Sequence, residues 1–303
     1  MCLVPDSDGS GLCAFGGFPS ADEYLVLDRR IDFLLWDRAA FAANQEFIRG
    51  AIRAGDTYTK YMGKYAFIRV GHIQELVSSL FSLVSLVVGL AYFFRVMAER
   101  RKQSQETQRY LSVVAGSLAV HSVCWLCSAL FHLRDCYLTQ CLDYLCAMLS
   151  ILSIMYISLC RLYQSYLGPL LFLGGFFFAH AYYLLGVEFN FLYNSVVCGL
   201  LMSGNVILWW RWYRQISSQA HSRVLSLGGS GMVIASLFQV IDFGPVLFLI
   251  DSHSLWHVLA ALYTGVFYHF LLVDAQATPT LRLPPSPRAH IHLSKKKLIE
   301  FKL

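Results

Sequence analysis

The sequence predicts an all-α membrane protein, a seven-transmembrane-helix bundle. Only 14% of its 303 residues are charged and 56% are hydrophobic, whereas a soluble domain carries about a quarter charged residues. The apolar residues are gathered into blocks without Asp, Glu, Lys or Arg, and each block can cross a hydrocarbon core, which takes roughly 20 helical residues. Seven such blocks follow one another: Leu76 to Phe94, Tyr110 to Phe131, Tyr144 to Cys160, Tyr166 to Val187, Phe189 to Trp210, Val224 to Ile241, and Leu255 to Val273.

The spanning blocks are predicted to be helices, because backbone polar groups in lipid must be satisfied within the segment. The blocks are also too long for barrel strands, which have about 9–11 residues. Glu188 and Asn190 are the only polar residues at the junction of blocks four and five. A tight turn there gives seven spans, and one long bent helix would give six.

Basic residues are concentrated on one side of a seven-span chain. The segments on that side contain Arg95, Arg100, Arg101, Lys102 and Arg109, then Arg211, Arg214 and Arg223, then Arg282, Arg288, Lys295, Lys296, Lys297 and Lys302. The opposite loops contain only Arg134. Because short cytosolic loops are enriched in Lys and Arg, this side is predicted to be cytosolic and the N-terminus lumenal or external. The net charge of +5 reflects this loop bias, so no nucleic-acid partner is predicted.

Three regions are predicted along the chain. Residues 1–72 form an N-terminal lumenal region, in which apolar residues at helical spacing from Ala21 to Gly55 predict amphipathic helices. Residues 73–274 form the transmembrane domain, and residues 275–303 form a basic cytosolic tail predicted to be disordered. Residues 1–17 lack the basic and apolar parts of a cleavable signal peptide. Either the start is truncated or the first span acts as the signal.

Five polar residues fall at one predicted depth, near the lumenal ends of three spans. They are Ser128 and His132 at the end of span two, Asp143 at the start of span three, and His253 and His257 at the start of span seven. Residues four apart share a helix face, so two histidines can point at one ion, and a third from another helix completes a three-histidine site with one open position. That arrangement is typical of catalytic zinc.

A structural role for these histidines is the alternative. An HxxxH motif is short, and a histidine in a membrane helix often bonds to a neighbouring helix. His121, His180 and His269 are interpreted in this way, because they lie at other depths or lack a partner four residues away. The spacing alone leaves both interpretations open.

Several longer motifs occur in order from about Gly63 to Ala275. They are GKYAFIR at 63–69, SALFHLRD at 128–135, LDY at 142–144, LWWRW at 208–212, DSHSLWH at 251–257 and FLLVDA at 270–275. Together they resemble the signatures of the Per-one-like family, the phospholipases that remodel GPI anchors after attachment to protein. That family belongs to the CREST superfamily of seven-span metal hydrolases, which includes alkaline ceramidases and adiponectin receptors. The five polar residues reproduce the superfamily pattern.

The resemblance implies a metal-dependent ester hydrolase of the phospholipase A2 type. His132, His253 and His257 would bind Zn²⁺, Asp143 would deprotonate water, and Ser128 would donate a hydrogen bond to the oxyanion or the water. Residues with supporting or head-group contacts would be Glu75, Arg134, Asp135, Asp242 and Asp251, with interfacial salt bridges as the alternative. The implied substrates are membrane lipids and GPI-anchored proteins. The implied location is the endoplasmic reticulum membrane, or the Golgi membrane, with a lumenal active site.

Two other functions remain open on the same fold. One is an amide hydrolase of the ceramidase type, and the other is a receptor or chaperone without enzymatic activity. The chain also departs from the family pattern, because only Cys2 and Cys13 precede the first span, Leu76 replaces a proline of the QEPxS motif, and Gly244 interrupts the DFPP motif. These departures bear on substrate choice more than on the chemistry.

Overall fold

The computed structural model describes residues 3–5, 12–14, 43, 46–61, 64–68, 70 and 73–277. The long helices of this part are α1 (Leu76–Arg100), α2 (Gln105–Leu133), α3 (Tyr137–Tyr163), α4 (Leu167–Tyr182), α5 (Phe191–Ile216), α6 (Ser222–Leu237) and α7 (Ser252–Ala277). A helical segment at 46–54 precedes them, together with two antiparallel ladders that pair β1 (Leu3–Pro5) with β2 (Leu12–Ala14) and β3 (Lys60–Tyr61) with β4 (Lys64–Tyr65). The predicted all-α membrane class is confirmed.

Six helices of the described chain are long and apolar enough to cross a membrane. In this group α4 is extended by a π-helical turn, Tyr183–Val187. The exception is α6, whose 16 residues rise about 24 Å and fall short of the roughly 20 residues that a span needs. The sequence predicts a helix to Ile241 at this point, but α6 ends at Leu237. The number of long apolar helices is therefore six, one fewer than predicted.

The chain after α6 is held out of the helix by contacts with the segment before α1. The Asp242 carboxylate accepts hydrogen bonds from the Lys60 ammonium and the Tyr65 hydroxyl. The backbone N–H of Ile68 donates to the carbonyl of Phe248 over 2.9 Å. These distant partners compete with helix continuation, and they explain why apolar composition alone overestimates the length of α6.

The turn between α4 and α5 separates two distinct helices. Glu188 is extended, with φ −156°, and Asn190 caps α5 by accepting a hydrogen bond from the N–H of Tyr193 over 2.9 Å. A side-chain acceptor of this kind is a common start signal for a helix. The alternative of one long bent helix is therefore wrong.

Small residues allow the helices around the polar layer to pack closely. On α1 the side chains of Ser78, Ser82 and Ser85 are fully buried, on the helix face that packs against α2 and α7. On α6, a Cβ at Gly231 would overlap the ring of Tyr263 on α7. Interfaces of this type are common in membranes, where small side chains let two backbones approach.

A buried polar cluster joins four helices at the end opposite the predicted site. The Arg161 guanidinium on α3 donates to the Asp274 carboxylate on α7 over 2.9 Å. The same carboxylate accepts a bond from the indole N–H of Trp212 on α5 over 3.0 Å and contacts His221, just before α6, at 3.2 Å. Both charged groups are paired and hydrogen-bonded, which a buried ion pair requires. The cluster ties α3, α5, α6 and α7 together at this end.

The segment before α1 packs on the chain that precedes α7. Ile48, Ala51 and Ala66 form a small buried cluster against which Phe248 packs. A Cβ at Gly244 would overlap the Thr57 carbonyl. The glycine that interrupts the DFPP motif therefore allows the backbone at 244 to approach the backbone of Thr57. The amphipathic helices predicted from Ala21 to Gly55 coincide with the described helical segment at 46–54, and their earlier part lies almost entirely outside the described residues. Of the tail predicted to be disordered, residues 278–303 lie outside the described residues. The three-region division therefore stays a prediction.

Candidate metal centre

The ends of three helices converge at the predicted site. His132 lies in the last turn of α2, and His253 and His257 lie on one face of the first turns of α7. The start of α1 is attached to the end of α2, because the N–H of Glu75 donates to the His132 carbonyl over 3.0 Å and the N–H of Gln74 donates to the Leu133 carbonyl over 3.2 Å. The site is therefore built where α1, α2 and α7 meet.

The three histidines direct the same ring atom toward one point. The Nε2 atoms of His132 and His253 are 3.4 Å apart, and those of His253 and His257 are 3.2 Å apart. One nitrogen from each ring lies within 4.8 Å of the other two. His132 and His257 are buried, and His253 is partly buried. The predicted juxtaposition of the three side chains is confirmed, and the group has a geometry that could hold a metal ion.

The second nitrogen of each ring has a polar partner of its own. His132 Nδ1 lies 2.8 Å from the Glu75 carboxylate, His253 Nδ1 lies 3.0 Å from the Gln239 side-chain oxygen, and His257 Nδ1 lies 3.1 Å from the Ser82 hydroxyl. Each partner can accept an Nδ1–H, which leaves Nε2 with a free lone pair. Partners of this kind orient metal-binding histidines and fix their tautomer. The donor set therefore fits a metal ion bound through three Nε2 atoms.

Two of these partners, Gln239 and Ser82, were not predicted from the sequence. Ser82 carried a signal, because the serines at 78, 82 and 85 recur at helical spacing within an apolar span. Gln239 carried none, since it lies in a turn just after α6 and faces a residue on another helix. A third residue, Lys64, touches Glu75 and was also missed as a site residue.

The two predicted catalytic residues, Asp143 and Ser128, lie beside the histidines and close to each other. The Asp143 carboxylate on α3 lies near the Ser128 hydroxyl on α2. Ser128 Oγ lies 3.3 Å from Ser82 Oγ, which in turn contacts His257. A chain of polar contacts thus runs from Asp143 through the two serines to a histidine. Among the described residues, the group that could hold an ion consists of the three histidines and does not include Asp143.

Of the predicted supporting residues, Glu75 contacts a histidine directly, through His132 Nδ1. Burial alone would raise the pKa of the Glu75 carboxyl, but the Lys64 ammonium and the His132 ring hold that pKa well below its usual range. Asp135 is linked to Glu75 through Lys64, whose Nζ lies 2.8 Å from Asp135 Oδ2 and 3.0 Å from Glu75 Oε1. Two of the predicted carboxylates therefore share one lysine.

The other predicted supporting residues have different surroundings. Asp251 caps the start of α7, because its carboxylate accepts a bond from the N–H of Ser254 over 2.7 Å, and burial raises the pKa of Asp251. Asp242 forms an ion pair with Lys60 near the surface. Arg134 is exposed at the end of α2. An ion pair of this kind is what the salt-bridge alternative predicts for Asp242, and its role stays a prediction.

A sequence model of the Per1-like family matches residues 32–275. The chain belongs to the Per1-like family. The match contains every residue of the site described above, and it confirms the resemblance carried by the motifs.

This Per1-like chain is similar to curated proteins, two of which have names that refer to GPI. A protein of Danio rerio named "GPI-specific phospholipase A2-like PGAP3" is 30% identical over 236 residues, covering 73% of this chain and 71% of the relative. A Drosophila melanogaster protein named "Post-GPI attachment to proteins factor 3" is 28% identical over 253 residues, covering 80% and 75%. The "Protein PER1 homolog" of Schizosaccharomyces pombe is 30% identical over 228 residues, covering 70% and 66%.

Proposed function

We propose that the protein is a zinc-dependent hydrolase that removes an acyl chain from the lipid of GPI-anchored proteins, a phospholipase A2-type reaction. The observation that carries this proposal is the convergence of three Nε2 atoms beside the Asp143–Ser128 pair. Membership of the Per1-like family supports it, as do relatives named for GPI-specific phospholipase A2-like activity. The substrate assignment rests on those names, and the chemistry rests on the side chains.

His132, His253 and His257 would hold the zinc, and the chemistry follows from their neighbours. A zinc ion with three protein ligands lowers the pKa of a water to about 7 and polarises an ester carbonyl. Asp143 accepts a proton from the attacking water and returns it to the alkoxide oxygen that leaves when the carbonyl–oxygen bond breaks. The products are a fatty acid and a lysolipid. Ser128, which lies near the Asp143 carboxylate, would donate a hydrogen bond to the oxyanion or the water.

The site is proposed to face the lumen of the endoplasmic reticulum, with the Golgi as the alternative compartment. Contacts along α6 support a seventh crossing of the membrane, because Gly228 meets Phe267 and Gln239 meets His253. The chain thus runs along α6 from His221, at the level of Asp274, to Gln239, at the level of the histidines. With three basic segments on the opposite side, the N-terminus and the site share the lumenal side.

We expect a tag at the N-terminus to be lumenal and a tag at the C-terminus to be cytosolic. The reason is the seventh crossing proposed for α6, which makes the number of crossings odd, combined with the asymmetry of the basic loops. Antibody access to each tag in cells permeabilised first at the plasma membrane and then at all membranes measures this. Both tags on one side would contradict seven crossings.

Release of fatty acid from defined lipids tests the proposed function. Purified wild-type protein in vesicles is expected to release an acyl chain from phosphatidylinositol-type diacyl lipid and from GPI-anchored protein, and to leave ceramide intact. The control is the His253→Ala/His257→Ala variant, which lacks two proposed ligands. Cleavage of ceramide alone would replace the substrate assignment with the ceramidase alternative. Release from neither lipid by zinc-loaded protein would favour a receptor or chaperone.

A further inference from the structure

Lys64 lies between two carboxylates at the edge of the candidate metal centre. Its Nζ is 3.0 Å from Glu75 Oε1 and 2.8 Å from Asp135 Oδ2. It also lies 4.1 Å from the centre of the Phe131 ring, the residue next to His132. Burial would lower the pKa of Lys64, but the two carboxylates hold it above its usual range. The ammonium group therefore neutralises a pair of acidic groups that approach each other beside the site.

Glu75 divides its two oxygens between Lys64 and a proposed metal ligand. Oε1 accepts from the Lys64 ammonium, while Oε2 lies 2.8 Å from His132 Nδ1. The Glu75 side chain is only about 7% exposed, so water does little to hold it in place. With one oxygen held by Lys64, the other is directed at the histidine. Without the lysine, the buried carboxylate would lose the ammonium that holds Oε1 and would reorient.

We propose that Lys64 is a positioning residue of the metal centre, acting through Glu75 to hold His132 in the orientation that presents Nε2 to the ion. Lys64 belongs to β4, in the segment before the first span. That segment would therefore support the metal centre directly, in addition to any role it has as a lumenal region. The inference rests on the proposed metal site, and it concerns the residues that support the ligands, whichever lipid is the substrate.

Lys60 offers a matched control from the same ladder. It also forms an ion pair with a carboxylate, that of Asp242, but this pair is more exposed, with 34% of the Lys60 side chain and 58% of the Asp242 side chain accessible. Its ammonium also lies 4.5 Å from the centre of the Tyr65 ring. Loss of the Lys60 charge therefore tests for a general effect of removing a lysine from this segment.

Zinc affinity of the purified full-length chain, measured by competition with a chromophoric chelator, tests the inference without a lipid substrate. Lys64→Met keeps the apolar stem and is expected to weaken zinc binding about 10- to 100-fold, the usual effect of losing an outer partner of a ligand. Lys60→Met is expected to bind as the wild type does, and Lys64→Arg to recover most of the loss. If Lys64→Met does not fold, Lys64→Gln replaces it in the same measurement.

A double-mutant cycle with Glu75→Ala tests whether Lys64 acts through Glu75. If it does, the Lys64→Met/Glu75→Ala variant binds zinc no more weakly than Glu75→Ala alone. Additive losses, or wild-type affinity in Lys64→Met, would overturn the inference. Failure of the proposed function looks different: a wild type that binds no zinc removes the metal site itself, whereas a zinc-binding wild type that cleaves no lipid removes the activity and leaves the role of Lys64 standing.

Discussion

Replacing His132, His253 or His257 by alanine is expected to reduce the zinc content of the purified protein from about one ion per chain to a small fraction of that. The three Nε2 atoms supply all the protein ligands of the proposed site, and a zinc ion left with two histidines lacks the minimum set of catalytic zinc centres. Elemental analysis after exchange into a zinc-buffered solution measures the loss. The same three variants are expected to lose lipid hydrolysis.

His121→Ala is the matched control for this experiment. His121 lies on α2 like His132 and is buried, but its Nδ1 bonds to the Ser117 carbonyl of its own helix over 2.8 Å. It is outside the group that could hold an ion, so its replacement is expected to leave zinc content unchanged. Equal zinc in all four variants would mean that the ligands have been assigned wrongly.

Replacing Asp143 by asparagine is expected to lower the rate of acyl release by about a hundredfold or more, the range of a lost general base. Asparagine keeps the shape of the side chain and most of its hydrogen bonding, including a contact with Ser128, but it cannot accept the proton of the attacking water. Zinc content and expression are expected to stay at the wild-type level, because Asp143 is not one of the proposed ligands. The rate is measured as fatty acid released from phosphatidylinositol-type diacyl lipid.

Glu188→Gln gives a comparison at another carboxylate on the same side of the bundle. Glu188 is exposed in the turn between α4 and α5, where its carboxylate accepts a hydrogen bond from the Asn190 side chain over 3.2 Å, so neutralising it is expected to leave the rate close to that of the wild type. Expression of each variant in cells that lack the protein, followed by analysis of their GPI lipids, extends the test to the natural substrate. Full restoration of anchor remodelling by Asp143→Asn would refute catalysis by this residue.

The positions of the three histidines could be predicted because they depend on local spacing and on the order of the spans. His253 and His257 share a face because they are four residues apart on a helix. His132, Asp143 and His253 are predicted at the same depth because the chain crosses the membrane an even number of times between them. The prediction about α6 failed in part for the opposite reason. Its length depends on Asp242 and Phe248, which bond to the segment before α1, and no local pattern announces those contacts.

The sequence by itself determined the helical membrane class, the family, and the identity of the side chains that meet at the candidate site, because apolar length, helical period and motif order are all properties of the chain read locally. The tertiary structure alone decided how each histidine is held. Glu75 is 57 residues from His132, and Ser82 is 175 residues from His257. A hydrogen bond between such distant residues follows from the packing of α1 against α2 and α7, where buried serines and a paired carboxylate satisfy the ring nitrogens that water cannot reach.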